Sequence, residues 1–144
     1  MKICLSCGCR FKNSGWQCPS CHESPRLLEG FPVFAPELAH ASDGFECAHF
    51  DELAPLEAKN FWFRSRNRLI VWSLKRYFPG IDNFLEIGCG TGYVLSGLES
   101  AFPGLSISGS EIFVNGLSYA KGRVSRSDLF QMDARNIPFE NEFD

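Results

Sequence analysis

The chain has 144 residues, of which 44% are hydrophobic and 14% aromatic, and its formal net charge at pH 7 is −3. This balance is typical of a globular protein with one modest core. It gives no general signal for a nucleic-acid or membrane partner, although it leaves room for a local basic patch. No apolar run approaches the length of a membrane span, and the N-terminus lacks the long apolar core of a signal peptide.

The first 21 residues contain two C-x-x-C motifs, separated by ten residues. Two such turns can place four thiolates around one tetrahedral ion, so the spacing predicts a metal site made by Cys4, Cys7, Cys18 and Cys21. The pattern is similar to a zinc ribbon or a rubredoxin-like knuckle pair. Zinc is favoured over iron, although a four-sulfur site by itself is compatible with both metals. The total of seven cysteines is odd and indicates a reducing compartment, so we expect a cytoplasmic protein.

We expect the metal to be structural, because four protein ligands leave no open position for a substrate. A segment of about 25 residues also buries too little surface to fold without a metal or another cross-link. Phe11 and Trp16 are expected to cover the site. The remaining cysteines, Cys9, Cys47 and Cys89, are not predicted as metal ligands, and His22 is expected to be a solvated loop residue.

Residues 24–44 form a connector that is interrupted by proline and glycine too often for a long helix. Within it, residues 30–34 predict a short edge strand tied to the ribbon. Residues 45–80 are helical in pattern, with a short helix or turn around Phe50. A longer helix extends from about Asn60 to Phe78 and ends at Pro79-Gly80, with Ile70, Leu74, Tyr77 and Phe78 on one apolar face.

The most informative stretch is Leu85-Glu86-Ile87-Gly88-Cys89-Gly90-Thr91-Gly92. It lies between a short apolar run, which predicts a buried strand, and residues that recur at helical spacing. Glycines at every second position allow positive φ and let a ligand lie against the backbone. The following helix presents unpaired N–H groups to an anionic or polar ligand. This stretch therefore predicts a nucleotide-type binding site.

This stretch resembles motif I of the class I S-adenosylmethionine-dependent methyltransferases, E/D-x-G-x-G-x-G. Two later segments also match that family. Residues 106–111 resemble its second strand, which ends in an acid. Residues 130–139 resemble its third strand, with a terminal aspartate and a D-A-x-x-x-P-F turn. The resemblance covers about residues 45–144. A dinucleotide-binding enzyme is disfavoured, because its fingerprint is G-x-G-x-x-G.

The resemblance implies a role for each matching residue. Glu111 would accept both ribose hydroxyls, Asp133 would accept from the adenine amino group, and the Ala134 N–H would donate to the ring. Glu86 would hold the ammonium of the methionyl part, which would lie against the glycines. The full set of implied cofactor-binding residues is Glu86, Gly88, Cys89, Gly90, Thr91, Gly92, Glu111, Ile112, Asp133 and Ala134. The segment 60–70 is similar to the family's pre-motif segment, so one of Arg64, Arg66 and Arg68 could meet the cofactor carboxylate. The alternative is that these arginines are solvated.

The expected fold is α/β. It comprises a zinc-ribbon-like module (1–34), a helical connector or cap (35–80) and the N-terminal part of a Rossmann-like methyltransferase sheet (81–144), with about three strands and flanking helices. A complete domain of this family has seven strands, so we expect an incomplete domain whose first strand is an exposed edge. No catalytic residue is identified. The methyl acceptor stays open among a small molecule or glycan, a protein, and an RNA positioned by the ribbon. A non-catalytic ribbon module with a vestigial cofactor site is the competing hypothesis.

Overall fold

The computed structural model describes residues 1–40 and 48–144, so Cys47 and the end of the connector, including Gly44, lie outside the described residues. The chain runs through seven strands and four α-helices in the described part. The strands are β1 (Lys2–Ile3), β2 (Arg10–Phe11), β3 (Arg26–Leu28), β4 (Phe31–Val33), β5 (Asn83–Ile87), β6 (Ser106–Glu111) and β7 (Asp128–Gln131). The helices are α1 (Ala48–Glu57), α2 (Phe61–Tyr77), α3 (Tyr93–Ala101) and α4 (Val114–Arg123), and a 3-10 turn covers Pro36–Leu38.

The main sheet is mixed and has the order β3-β4-β7-β6-β5. Strands β5, β6 and β7 are parallel and are joined by α3 and α4. These strands and helices confirm the expected α/β arrangement. The sheet also contains β3 and β4, an antiparallel hairpin in which β4 lies parallel to β7 through the pair Val33 and Gln131. The strand expected at residues 30–34 therefore extends the main sheet at the β7 side, rather than lying at its edge or pairing with the ribbon strands.

The core lies between the sheet and helices α2, α3 and α4. Leu95, Leu98 and Leu117 are fully buried there, and Ile70 and Leu74 of α2 pack against them. The predicted apolar face of α2 is only partly correct, because its last two members, Tyr77 and Phe78, are 63% and 53% exposed. The helix begins where expected, with the Asn60 side chain accepting from the Trp62 N–H at 2.9 Å. None of the described helices combines the length and the apolar character needed to cross a bilayer.

Strand β5 lies at one edge of the sheet, as predicted, with no described strand on its outer side. Asp144 contacts the backbone at the beginning of this edge strand. The Asp144 N–H donates to the Asn83 carbonyl at 3.1 Å, and the Asp144 carboxylate accepts from the N–H groups of Asp82 and Asn83. Residues 143–144 therefore lie where the resemblance places the beginning of a fourth strand.

The ribbon packs against the main sheet through an aromatic cluster. Trp16 makes edge contacts with Phe34, Phe130 and Phe139, at centroid distances between 4.7 and 5.5 Å. Strand β1 adds a bridge between Lys2 and Phe139. The Trp16 ring therefore fixes the ribbon to the sheet, and it also lines a cavity together with Cys4 and Phe11.

Candidate functional site

The glycine-rich turn connects the carboxyl end of β5 to the start of α3. Gly88, Gly90 and Gly92 all have positive φ, at 75°, 51° and 73°. A Cβ at Gly92 would lie 2.8 Å from the Cα and Cβ of Ala120, whereas a Cβ at Gly88 would meet nothing within 4 Å. The two positions therefore need glycine for different reasons. Gly92 lets α3 approach α4, and Gly88 leaves bare backbone facing open space.

The acids predicted from the sequence lie at the carboxyl ends of three adjacent parallel strands. Glu86 lies on β5, Glu111 ends β6, and Asp133 follows β7. Glu111 is 9% exposed, and its carboxylate accepts from the Gly90 N–H at 3.0 Å and the Ile112 N–H at 2.8 Å. These bonds fix the carboxylate directly beside the glycine-rich turn. Each carboxylate oxygen has two acceptor positions, so the Gly90 bond leaves one on Oε2 for a hydroxyl donor.

Glu86 has a buried atom, Oε2, with no hydrogen-bond partner among the described residues. Burial raises the pKa of this carboxyl to about 7, the nearby Glu111 charge adds to the rise, and Arg66 opposes it. An unpaired buried acceptor is costly unless a ligand supplies the donor. Glu86 therefore has the chemistry expected of a group that receives an ammonium.

Asp133 is engaged locally in this structure. Its carboxylate accepts from the Arg135 side chain at 2.9 and 3.0 Å and from the Arg135 N–H at 2.9 Å. The Arg135 side chain is the main reason that the pKa of Asp133 lies below its usual value. The neighbouring Ala134 is exposed and Ile112 is partly exposed, so both can reach a ligand.

Helix α1 covers the turn and closes a cavity of about 150 Å³ lined by Glu86, Arg66, Thr91 and the α1 residues Phe50 and Glu57. Phe50 is 3% exposed and lies close to both Gly90 and Gly116. Cys89, the remaining predicted residue of the turn, is 6% exposed and belongs to the core cluster. Its burial raises the pKa of its thiol, so it acts as a small apolar side chain.

The contact between α1 and the turn depends on two charged residues that the sequence analysis missed. Glu57 is 7% exposed, and it accepts from the Thr91 hydroxyl at 2.6 and 2.8 Å and from the Arg123 guanidinium. Arg123 also donates to the Ala54 carbonyl at 2.5 Å. Glu57 and Arg123 are 66 positions apart in the chain. Because neither lies in a motif, no sequence signal could have paired them.

The four predicted metal ligands converge in the ribbon. Their sulfur atoms all lie within 4.8 Å of one another, with Cys4 to Cys21 and Cys7 to Cys18 at 3.6 Å. A zinc ion with Zn–S bonds of about 2.3 Å needs sulfurs about 3.8 Å apart, so the set fits a tetrahedral ion. Phe11 is buried against Cys4 and Cys18, as expected, and Gly8 has a φ of 72°.

The sequence profile of a methyltransferase domain matches residues 85–144, which include the turn and all three acids. No curated protein matches the chain. Among solved structures, the fold is similar to SAM-bound CalS10, an amino pentose methyltransferase from Micromonospora echinaspora, with 23% identity and a TM-score of 0.54. It is also similar to DesVI from Streptomyces venezuelae, with 22% identity and a TM-score of 0.53, and to the sugar N-methyltransferase KedS8 from Streptoalloteichus, with 21% and 0.53.

These similarities confirm the resemblance to S-adenosylmethionine-dependent methyltransferases and the Rossmann-like α/β fold. They cover 69% of this chain and 41% of DesVI, and 72% of this chain and 42% of CalS10. For KedS8 the values are 65% and 36%. The chain therefore spans about two fifths of the length of the structures it matches.

Proposed function

We propose that this chain contains the cofactor-binding part of an S-adenosylmethionine-dependent methyltransferase, preceded by a structural zinc ribbon. The proposal is carried by one observation, the unpartnered Glu86 oxygen beside the open glycine-rich turn. A cationic amino group placed there would pair the only side-chain acceptor of this cavity that is buried without a partner among the described residues. The dinucleotide cofactors lack such an amino-acid group, so this acceptor favours S-adenosylmethionine over NAD.

The remaining residues fit the same cofactor. Glu111 is fixed by the N–H groups of Gly90, Ile112 and Phe113, and its one remaining acceptor position, on Oε2, would accept from a ribose hydroxyl. The second hydroxyl would displace the longest of these bonds, from the Phe113 N–H at 3.3 Å. The exposed backbone of Gly88 would lie against the methionyl chain. Arg66 lines the same cavity as Glu86, so among the three arginines of this segment it is the one that would pair with the cofactor carboxylate. Asp133 would have to exchange part of its Arg135 contact for the adenine amino group.

When bound, S-adenosylmethionine supplies a methyl group that is already activated by its sulfonium centre. The task of this chain's residues is then to orient that centre and to exclude water, because alignment alone can supply much of the rate acceleration. Helix α1 packs over the turn, with Phe50 buried against Gly90, and provides the water-excluding surface. No residue of this part of the chain is assigned as a general base, which only a weakly nucleophilic acceptor would require.

Isothermal titration of the 144-residue chain with S-adenosylmethionine tests the cofactor site. We expect micromolar binding, and we expect Glu111→Gln to weaken it by about tenfold or more, because hydrogen bonds to a charged group are worth about 1.5–3 kcal/mol. Glu37→Gln is the matched control, since Glu37 is an exposed acid on the 3-10 turn. NAD should give no binding heat. Equal affinities of the Glu111→Gln variant and the unsubstituted chain would contradict the ribose role, and absence of binding would favour a vestigial site.

A further inference from the structure

The outer surface of the molecule has a groove between α2 and α3, with a volume of about 520 Å³. We call it the basic groove. It is lined on the α2 side by Arg64, Asn67, Arg68, Val71, Trp72 and Lys75, and on the α3 side by Tyr93, Gly97, Ser100 and Ala101. Arg64, Arg68 and Lys75 follow helical spacing along one face, over about 16 Å at 1.5 Å per residue. The groove is thus long enough for several units of an extended polymer.

The positive charge of this groove stands out in a protein whose net charge is −3. Helix α2 has the sequence FWFRSRNRLIVWSLKRY, which contains five cationic side chains and no acid. Arg64 and Arg68 form a like-charge pair at i and i+4, which destabilises a helix. Arg64 also lies in the first turn, where the helix dipole disfavours cations. Helix stability therefore does not explain why these arginines are present.

The opposite wall of the groove does not neutralise the charge. Its α3 residues, Gly97, Ser100 and Ala101, are uncharged. Glu99 of the same helix does not line the groove, and its carboxylate accepts from the N–H groups of Ser125, Arg126 and Ser127. No described residue forms an ion pair with Arg64, Arg68 or Lys75, although Lys75 lies over the Phe102 ring at 5.6 Å.

The arginine between them has a different environment. Arg66 lines the cavity below α1 together with Glu86, and it does not line the basic groove. The alternating arginines of α2 are therefore divided between two sites. Arg66 belongs to the proposed cofactor site, whereas Arg64 and Arg68 face a surface that the cofactor does not need.

We propose that the basic groove binds single-stranded RNA. The three cations would contact successive phosphates, and a base would stack on Trp72, which is 55% exposed at the groove wall. A positive groove with an exposed aromatic side chain is the usual combination in single-strand-binding proteins. The uncharged Ser100 also lines the groove, and its hydroxyl, which donates to the Ser96 carbonyl at 2.9 Å, keeps its acceptor positions. Such groups can bond the 2′-hydroxyl that distinguishes RNA from DNA.

The shape of the groove favours a strand over a membrane surface. A bilayer would contact the exposed apolar side chains of α2 that lie outside the groove, such as Trp62 and Leu69, which are 61% and 60% exposed. The cations and Trp72 instead line a concavity between two helices, which a single strand can enter. A role of this RNA as the methyl acceptor rests on the proposed function. RNA binding itself is measured without cofactor.

The test is fluorescence anisotropy of the 144-residue chain with a fluorescein-labelled 12-nucleotide oligouridylate. We expect saturable binding, with log K falling against log salt at a slope of about −2, because three phosphate contacts contribute about 0.7 each. Arg64→Gln/Arg68→Gln should weaken binding at least tenfold and reduce the slope. Arg76→Gln is the matched control on the same helix outside the groove, and it should change affinity less than twofold.

Three further measurements separate the alternatives. Trp72→Ala should weaken RNA binding by about fivefold or more while leaving inorganic polyphosphate binding unchanged, because only RNA offers a base to stack. A deoxyuridine 12-mer of the same length should bind more weakly. Equal binding of the DNA, preferential binding to phosphatidylserine vesicles, or equal losses in the Arg76→Gln and Arg64→Gln/Arg68→Gln variants would each overturn the proposal.

The proposed function is judged separately in the same set of variants. Arg64→Gln/Arg68→Gln should keep the affinity for S-adenosylmethionine, and Glu111→Gln should keep the affinity for RNA. Circular dichroism verifies that each variant is folded, which is expected because all four substituted groove and control side chains are exposed. RNA binding with no cofactor binding would support the groove and contradict the cofactor site, and the reverse result would do the opposite.

Discussion

Glu57 at the end of α1 and Arg123 at the end of α4 form a partly buried ion pair that also contacts Thr91 of the glycine-rich turn. The Arg123 guanidinium also donates to the Thr91 hydroxyl at 2.9 Å and lies 5.4 Å from the centroid of the Tyr93 ring. The pair therefore joins three elements: the helix α1 that covers the glycine-rich turn, the turn itself, and the second crossover helix α4. This contact network determines where α1 lies.

The first prediction concerns this pair. Arg123→Ala should lower the free energy of unfolding by about 3 kcal/mol, because it leaves the Glu57 carboxylate buried without its partner. Urea denaturation monitored by circular dichroism measures the change. The double variant Glu57→Gln/Arg123→Ala should be more stable than Arg123→Ala alone, since no unpaired charge is left in the interior. Additive losses in the double variant would contradict the coupling between the two residues.

The second prediction is a pH dependence that originates at Glu86. An ordinary glutamate in the unfolded chain loses its proton near pH 4.5, whereas burial raises the pKa of folded Glu86 to about 7. Between these values the folded state binds more protons than the unfolded state. The contribution of Glu86 to stability therefore falls as pH rises, by up to about 3 kcal/mol. Glu86→Gln should lose this dependence, which urea denaturation at pH 5, 6 and 7 would detect.

Cofactor binding should respond to pH in the opposite direction. In the proposed site the ammonium of S-adenosylmethionine would pair with ionised Glu86, so affinity should rise as pH increases through about 7. Glu86→Gln should bind weakly with little change across this range. If the Glu86→Gln variant kept both the stability profile and the binding profile of the unsubstituted chain, the assignment of the titrating group would be wrong.

The strand–turn–helix units from β5 to β7 were predictable because their signals are local. Each glycine of the turn and each acid at a strand end lies at a fixed offset from an apolar run. The structure places all of them at the carboxyl ends of the parallel strands β5, β6 and β7. The metal set was predictable for the same reason, since its four cysteines lie within 18 positions of sequence. The cofactor roles of these residues stay predictions.

The long-range contacts could not be read from the sequence. The pairing of β4 with β7 joins Val33 to Gln131, and the Gln131 side chain further bonds the backbone of Ala35. Trp16 packs against the sheet because Phe34 converges there with Phe130 and Phe139, which come from a distant part of the chain. Tyr77 and Phe78 belong to the predicted apolar face but are exposed, because periodicity identifies a helix face and does not show how far the neighbouring elements extend.

The third prediction compares two glycines of the turn. Both Gly88→Ala and Gly92→Ala place a side chain at positive φ, which costs about 1–2 kcal/mol. Only Gly92→Ala adds a clash, because its Cβ would lie 2.8 Å from Ala120. Gly92→Ala should therefore be less stable than Gly88→Ala by thermal denaturation. Gly88→Ala should stay folded and lose affinity for S-adenosylmethionine, because its methyl group enters the proposed cofactor site. Similar stability of the two variants would contradict the close approach of α3 to α4.

The fourth prediction concerns the metal. We expect one zinc ion for each chain when the protein is prepared in zinc-containing medium, and inductively coupled plasma mass spectrometry would measure it. Cys18→Ser should abolish zinc binding, because Cys18 is 1% exposed and supplies one of the four converging sulfurs. Cys9→Ser is the matched control, since Cys9 lies in the same segment but outside the ligand set.

Removal of the metal should have a local effect first. The internal packing of the ribbon consists of the short β1–β2 pair and a small cluster around Phe11, which cannot offset the entropy of folding without the ion. A chelator should therefore make residues 1–25 sensitive to protease while the core between the sheet and α3 persists. Because Trp16 contacts Phe130 of β7, the free energy of unfolding should also decrease. An unchanged protease pattern after complete zinc removal would contradict a structural role for the metal.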